Sequence, residues 1–241
     1  MNKILITALG AVLCVGANAQ FLMDQIGPDN TGMTTGVYAS QEFEGSFSTF
    51  HIAAIDDFAV GGAANITQVE ASMGLFGGTN PPRSWANVLS FRVEVYSSLA
   101  AATANLVGDV ASANIAAGSV GINEAWVGGA NQIALITIGG LNMNIGGAGT
   151  YFIGVIPRMD FSNSQGQSGM GGSVWAGNNP GGANGWQVNP GGGFAFPGNQ
   201  QQIAGGVNLA YRITGTIVPE PGTFVAIGLG LAGLALARRR K

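Results

Sequence analysis

Phe91-Arg92-Val93-Glu94-Val95-Tyr96 alternates apolar and polar side chains, with Phe91, Val93 and Val95 on one face and Arg92 and Glu94 on the other. A period of two is what a strand shows when it lies with one face on a core. Residues 209–217 repeat the pattern, with an inward set of Leu209, Tyr211, Ile213 and Ile217, and residues 66–73 follow it more loosely through Val69, Ala71 and Met73. Residues 132–138 and 151–156 are apolar on both faces, which suits central strands, and Pro157 is expected to end the second because it has no backbone donor for a ladder. Turn chemistry separates the runs at Gly61-Gly62, residues 77–82, Gly128-Gly129, Gly139-Gly140 and Gly146-Gly147. No convincing 3.6-residue stripe lies between them, although the alanines of residues 99–117 suit a short helix. The expected fold is all-β, an antiparallel β-sandwich of jelly-roll-like form, rather than a βαβ arrangement. Residues 166–206 are rich in Gly, Asn, Gln and Ser, with Trp175, Trp186, Phe194 and Phe196 among them. They read as one long aromatic loop, far beyond the usual connection of about 4–6 residues.

Composition narrows the function classes. The chain has 41 glycines among 241 residues and 9% charged residues, so it is poor in helix formers yet apolar enough to bury a core. Between the two ends the cations are Arg83, Arg92, Arg158 and Arg212, set against the twelve acids that run from Asp24 to Glu220. A nucleic-acid partner needs clustered cations to displace counterions, so that class is excluded. Cys14 is the one cysteine of the sequence.

The N-terminus reads as a secretory signal peptide, residues 1–19. A basic start at Lys3 leads into an apolar helix too short to span, and Ala17-Asn18-Ala19 precedes Gln20. Signal peptidase accepts small side chains beside the scissile bond, so cleavage is expected between Ala19 and Gln20. Cys14 leaves with that segment, which removes disulfides, cysteine nucleophiles and thiolate metal sites from the mature chain. A lipoprotein signal would want a small residue before the cysteine, where this chain has Leu13.

The C-terminal segment, residues 218–241, has three parts: Pro219-Glu220-Pro221, an uncharged run over residues 222–237, and the cluster Arg238-Arg239-Arg240-Lys241. As a helix the run would be about 24 Å long, a short transmembrane helix that arginine snorkelling would help to seat. The terminal cations are a membrane stop that stays cytoplasmic, which leaves the body, residues 20–217, outside. Both ends thus imply export across the inner membrane with transient anchoring there. The glycines of residues 228–233 match G-x-G-x-x-G, but no acidic residue follows at the required distance, and they read as small residues in a membrane helix.

This tail resembles the PEP-CTERM sorting signal of Gram-negative bacteria. The resemblance implies that exosortase recognises the tail and moves the protein to the cell surface or extracellular matrix, in species that make exopolysaccharide. The body, through residues 55–58, 66–69, 91–97 and a last strand running into Pro219, also resembles secreted bacterial β-sandwich modules that carry such tails. That likeness implies a fold and an address, and no reaction.

Candidate chemistry is sparse. His51 is the sole histidine, and no Gly-x-Ser-x-Gly elbow accompanies it, so it reads as a strand residue. Glu42, Glu44, Glu70 and Glu94 would serve a glycosidase only as a correctly spaced pair. Asp56-Asp57 offers hard oxygen ligands of the type calcium takes, without an EF-hand spacing, and reads alternatively as a corner capping a strand. No other cofactor is expected. Trp126, Trp175 and Trp186 are candidate glycan contacts, or rings that pin the loop to the sandwich. The expectation is a non-catalytic structural or adhesive module at the surface or in the matrix. A polysaccharide-binding, lectin-like module is second, and a secreted hydrolase third.

Overall fold

A computed structural model describes residues 19–77, 84–124, 132–164, 166–175 and 185–218. The expected signal helix and transmembrane helix lie outside these residues, as do Ala17, Pro219, Glu220, Pro221 and the cations 238–241. Among the described residues no helix is long and apolar enough to cross a membrane.

The described residues form strands β1 (Gln20–Asp24), β2 (Met33–Ala39), β3 (Ala53–Val60), β4 (Ala64–Gly77), β5 (Ser90–Tyr96), β6 (Ala111–Ala116), β7 (Gly121–Asn123), β8 (Gln132–Ile138), β9 (Met143–Ile145), β10 (Gly149–Arg158), β11 (Gly166–Ser173), β12 (Trp186–Val188), β13 (Gln200–Gln202), β14 (Asn208–Leu209) and β15 (Tyr211–Ile217). Two short helices, α1 (Leu99–Ala104) and α2 (Phe161–Ser164), interrupt them. The strands make two antiparallel sheets. One follows the order β13-β12-β3-β10-β5-β6. The other follows β1-β15-β4-β11-β14, with β8 and β9 also on β4, β7 on β8, and β2 on β11.

The sheets stack through one apolar core. Phe58, Phe91, Val93, Val95, Ile153 and Val155 enter it from the six-stranded sheet, and Ile66, Val69, Ala71, Met73, Ile136, Ile138, Tyr211 and Ile213 from the nine-stranded one. The alternation read in residues 91–96 is therefore the inward face of β5. Its opposite face is covered as well: Glu94 is fully buried, bound by Arg92 and by the N–H of Gly108 and the hydroxyl of Ser112. In β4 the looser alternation has a cause. Gln68 pairs with Thr214 and Ile66 with Gly215, so Thr67 is the extra residue of a bulge and both Ile66 and Val69 point inward.

Two expectations are corrected. Strand β10 continues through Pro157 to Arg158. There the Glu42 N–H donates to the Pro157 carbonyl and the Glu42 carbonyl accepts from the Met159 N–H, so no donor is required of Pro157. The supposed loop 166–206 contains β11, paired with β4, β2 and β14, and β12, which enters the other sheet. The glycines of β11 are there for close approach: a Cβ on Gly169 would come within 2.3 Å of the Tyr38 carbonyl oxygen, and one on Gly171 within 2.6 Å of the Ser72 hydroxyl.

Candidate functional site

At the end of the sandwich where β3 begins and β10 ends, the chain before β3 makes short 3-10 turns over Gly45–Phe50. They bring Phe47 and Phe50 to the surface. Phe43 comes from the segment before them, Phe161 from α2, which follows β10, and Phe194 from the connection between β12 and β13. The six rings Phe43, Phe161, Phe47, Phe50, Phe194 and Phe196 form a chain of neighbours with centroids 5.5–6.5 Å apart, four of the five contacts edge-on or tilted and the last stacked. Such spacings are those of favourable aromatic pairs. Five of these rings, with Gln167, line a cleft of about 230 Å³. Among the described residues no ionisable side chain belongs to its lining.

A polar frame holds the rings in place. Glu44 caps α2, accepting from the N–H groups of Phe161 at 2.7 Å and Ser162 at 2.8 Å and from the Ser162 hydroxyl. Partial burial is the largest single influence on the Glu44 carboxyl and raises it, but these hydrogen bonds together outweigh it and hold the group at about 2. Asn189 is fully buried and donates to the carbonyls of Thr49 (2.8 Å) and His51 (2.7 Å), while its oxygen accepts from the Phe194 N–H at 2.9 Å. Gly193 permits the contact: a Cβ there would lie 2.7 Å from both the Phe50 ring and the Thr49 carbonyl.

His51 completes the frame, with Nδ1 accepting from the Phe43 N–H at 3.1 Å. Burial pushes its imidazole below the ordinary 6.5; Glu42 pulls it back up, and Arg158 and Arg92 lower it further. Protonation would set a donor at Nδ1 against the Phe43 N–H. The folded group binds its proton less readily than the unfolded one, so acidification below about 6.5 removes stability from this segment. The protection of the Phe43 amide against hydrogen exchange is expected to fall between about pH 7 and about pH 5, and His51→Gln should flatten that dependence. Equal protection at both pH values in the native protein would refute the linkage.

The acidic candidates are held elsewhere. Glu42 and Glu94 both bind Arg92, at 3.1 Å and 2.7 Å, Glu44 is the cap, and Glu70 pairs with Arg212 at 2.9 Å. Asp56 and Asp57 are buried in β3. Asp56 accepts from the N–H groups of Leu209 at 2.6 Å and Asp57 at 2.9 Å, so it fastens β14 to β3. Burial pushes its carboxyl well above the usual range. Among the described residues no three acidic or histidine side chains gather into a metal-binding group.

Trp175 and Trp186 lie in different parts of the fold. Trp175 is 37% exposed and lies over Gly27 and Gly32, beside the β1–β2 connection. Trp186 sits in β12 and packs against the cluster that contains Ala53, Ile55 and Tyr96. Trp126 lies outside the described residues. Ala19 and Gln20 are exposed at the start of β1. Sequence reading missed Phe43, Phe47, Phe161 and Gln167. The available signal was Phe43-Glu44-Gly45-Ser46-Phe47-Ser48-Thr49-Phe50, three aromatics in turn-forming company with no strand period to explain them.

No curated protein and no solved structure matches the chain. One family, described as the PEP-CTERM protein-sorting motif, matches residues 218–241 and leaves the sandwich outside the match. The C-terminal tail is a PEP-CTERM protein-sorting motif, the mark of an exported protein that exosortase sorts to the cell envelope or surface.

Proposed function

We propose that the sandwich is a non-catalytic adhesive module, delivered to the cell surface or the exopolysaccharide matrix, whose phenylalanine cleft takes an apolar side chain or single ring from a neighbouring molecule. In this reading signal peptidase frees the chain after Ala19 and exosortase acts on the tail. The observation that carries it is the cleft itself, lined by five rings on a hydrogen-bonded frame. Exposed aromatic concavities of this type mark interaction sites. At about 230 Å³ the cleft is below the roughly 300–1,000 Å³ of small-molecule sites, which favours one inserted group over a whole ligand. A non-catalytic reading is supported by the engagement of Glu42, Glu44, Glu94 and His51 in structural bonds.

Secreted Phe47→Ala and Phe194→Ala variants are expected to be retained on washed cells and matrix about tenfold less than the native protein, the effect of losing about 1.4 kcal/mol of apolar contact. Unchanged retention of both variants would defeat the proposal. The glycan-binding alternative draws on the exposed ring of Trp175, and it predicts the opposite pattern: loss in Trp175→Ala with the phenylalanine variants unaffected.

A further inference from the structure

The end of the sandwich opposite the cleft is the one from which both chain extensions leave. Strands β1 and β15 pair antiparallel, Gln20 against Gly215, so the residue at the expected signal cleavage point and the last residues before the sorting motif lie side by side. Adjacent strands are about 4.8 Å apart. Strand β15 stays paired to its end: Ile217 pairs with Ala64, and the Val218 N–H donates to the Ala63 carbonyl at 2.7 Å. Four residue steps separate Val218 from Gly222, where the apolar run starts, and covalent geometry limits them to about 14 Å. The headgroup layer on one side of a bilayer is about 5–8 Å deep. A tail seated in the membrane therefore holds this end of the body at the headgroups.

Its chemistry fits that position. Residues 60–65, 142–150 and 214–218 carry no charged side chain, and the acid nearest them, Asp109 after β5, is tied to Ser97, in a body of eleven acids whose other end bears Glu42, Glu44, Arg158 and Asp160. Cleavage after Ala19 adds one cation here, the α-amino group of Gln20. Two exposed apolar side chains, Phe21 (54%) and Val218 (46%), flank the exit, and Asn65 binds the amides of Asn142 and Asn144 beside it. Gly61, Gly146 and Gly147 are not required by the fold: a Cβ on any of them would meet nothing within 4 Å, and none has a positive φ. Small, uncharged turns that packing does not demand leave a flat end for close approach to another surface.

We propose that this end, made of the β3–β4 turn, the β9–β10 turn and the paired chain ends, docks on the phospholipid headgroups of the inner membrane's outer leaflet while the tail is uncut, so that the phenylalanine cleft at the far end of β3 points away. Eight residues of β3 set the two ends roughly 26 Å apart. The inference rests on the tail being membrane-seated, and the test separates the two. The signal-cleaved chain with its tail intact has no cysteine, so Gly146→Cys at the proposed docking end and Gly45→Cys at the cleft end each give a single label site; a Cβ at either meets nothing within 4 Å. Fluorescently labelled chains are reconstituted into phosphatidylethanolamine–phosphatidylglycerol vesicles containing a headgroup nitroxide quencher. Both chains should float with the vesicles, and the Gly146 label should be quenched at least threefold more than the Gly45 label. Flotation with equal or reversed quenching overturns the docking end alone. Failure to float overturns the membrane-seated tail and the docking end with it. Preferential quenching that arises only in membranes containing exosortase assigns the surface to the enzyme and overturns the lipid assignment.

Discussion

Replacing Tyr211 with phenylalanine is expected to lower the stability of the sandwich by about 2–5 kcal/mol, a loss out of proportion to one oxygen atom. The ladder between β3 and β10 runs from Val60 against Gly149 to Ile55 against Gly154 and stops there. The next two groups, the Ala54 carbonyl and the Val155 N–H, are joined through the hydroxyl of Tyr211, which reaches across from the nine-stranded sheet. It donates to Ala54 at 2.9 Å and accepts from Val155 at 3.0 Å. Burial pushes the phenol well above its ordinary range, so the group keeps its proton and its donor role at any physiological pH. The ring is fully buried, and phenylalanine would keep its packing while leaving two backbone groups dry and unmatched, at about 1–3 kcal/mol each. For a domain of this size that is a fall of about 5–15 °C in Tm. Tyr151→Phe is the control, because that hydroxyl donates to Gly147 at the half-buried rim of a turn, and its loss should cost less than about 1 kcal/mol. A Tyr211→Phe protein that melts with the Tyr151→Phe protein would show that the inter-sheet bridge contributes nothing.

How far the sequence could be read follows from which side chains carry a pattern. In β5 and β15 the inward residues Phe91, Val93, Val95, Tyr211 and Ile213 are large and their neighbours polar, so the period of two survives in the text. In β4 a single bulge at Thr67 blurs it, and in β11 it vanishes, since a strand of Gly-Gln-Ser-Gly-Met-Gly-Gly-Ser has almost no side chains with which to alternate. The glycines that made β11 look like a loop are the condition for its packing between β4 and β2. The tail was legible for the opposite reason: its parts are consecutive, and a sorting signal has to be recognised as a linear order. The cleft was not legible because its meaning is a juxtaposition. Phe47 and Phe50 become a site only when Phe161 and Phe194, each more than a hundred residues away in sequence, fold against them, and neither period nor spacing records that. The tryptophans drew attention by size, but Trp186 is held in a strand and Trp175 rests on two glycines, so their contacts are set by the sheets they joined.

Asn189→Ala is expected to disable the cleft without touching a ring in it. The Asn189 amide is the sole polar side chain that ties the 3-10 turns to the Phe194 segment among the described residues, with two bonds to carbonyls and one to an N–H, all at 2.7–2.9 Å. Truncation strands the His51 carbonyl and the Phe194 N–H, each worth about 1–3 kcal/mol if it stays dry, and leaves the Thr49 carbonyl with the Gly193 N–H alone. Water can reach some of them at this end of the domain, so the global loss should be about 3–5 kcal/mol or about 6–15 °C in Tm. The Phe194 amide should lose most of its hydrogen-exchange protection. Asn189→Asp sharpens the argument. An aspartate preserves the acceptor for Phe194 but presents an oxygen to the Thr49 and His51 carbonyls, so it should be as damaging as alanine, or more so. If the amide were only filling space, aspartate would be tolerated and alanine would not, because the former keeps the volume and the latter leaves a cavity. Native-like melting and matrix retention in Asn189→Asp would therefore reject the frame as the device that positions Phe50 and Phe194. Severe loss in both variants, with Phe194→Ala still folded but no longer retained, would separate the scaffold of the site from its contact surface.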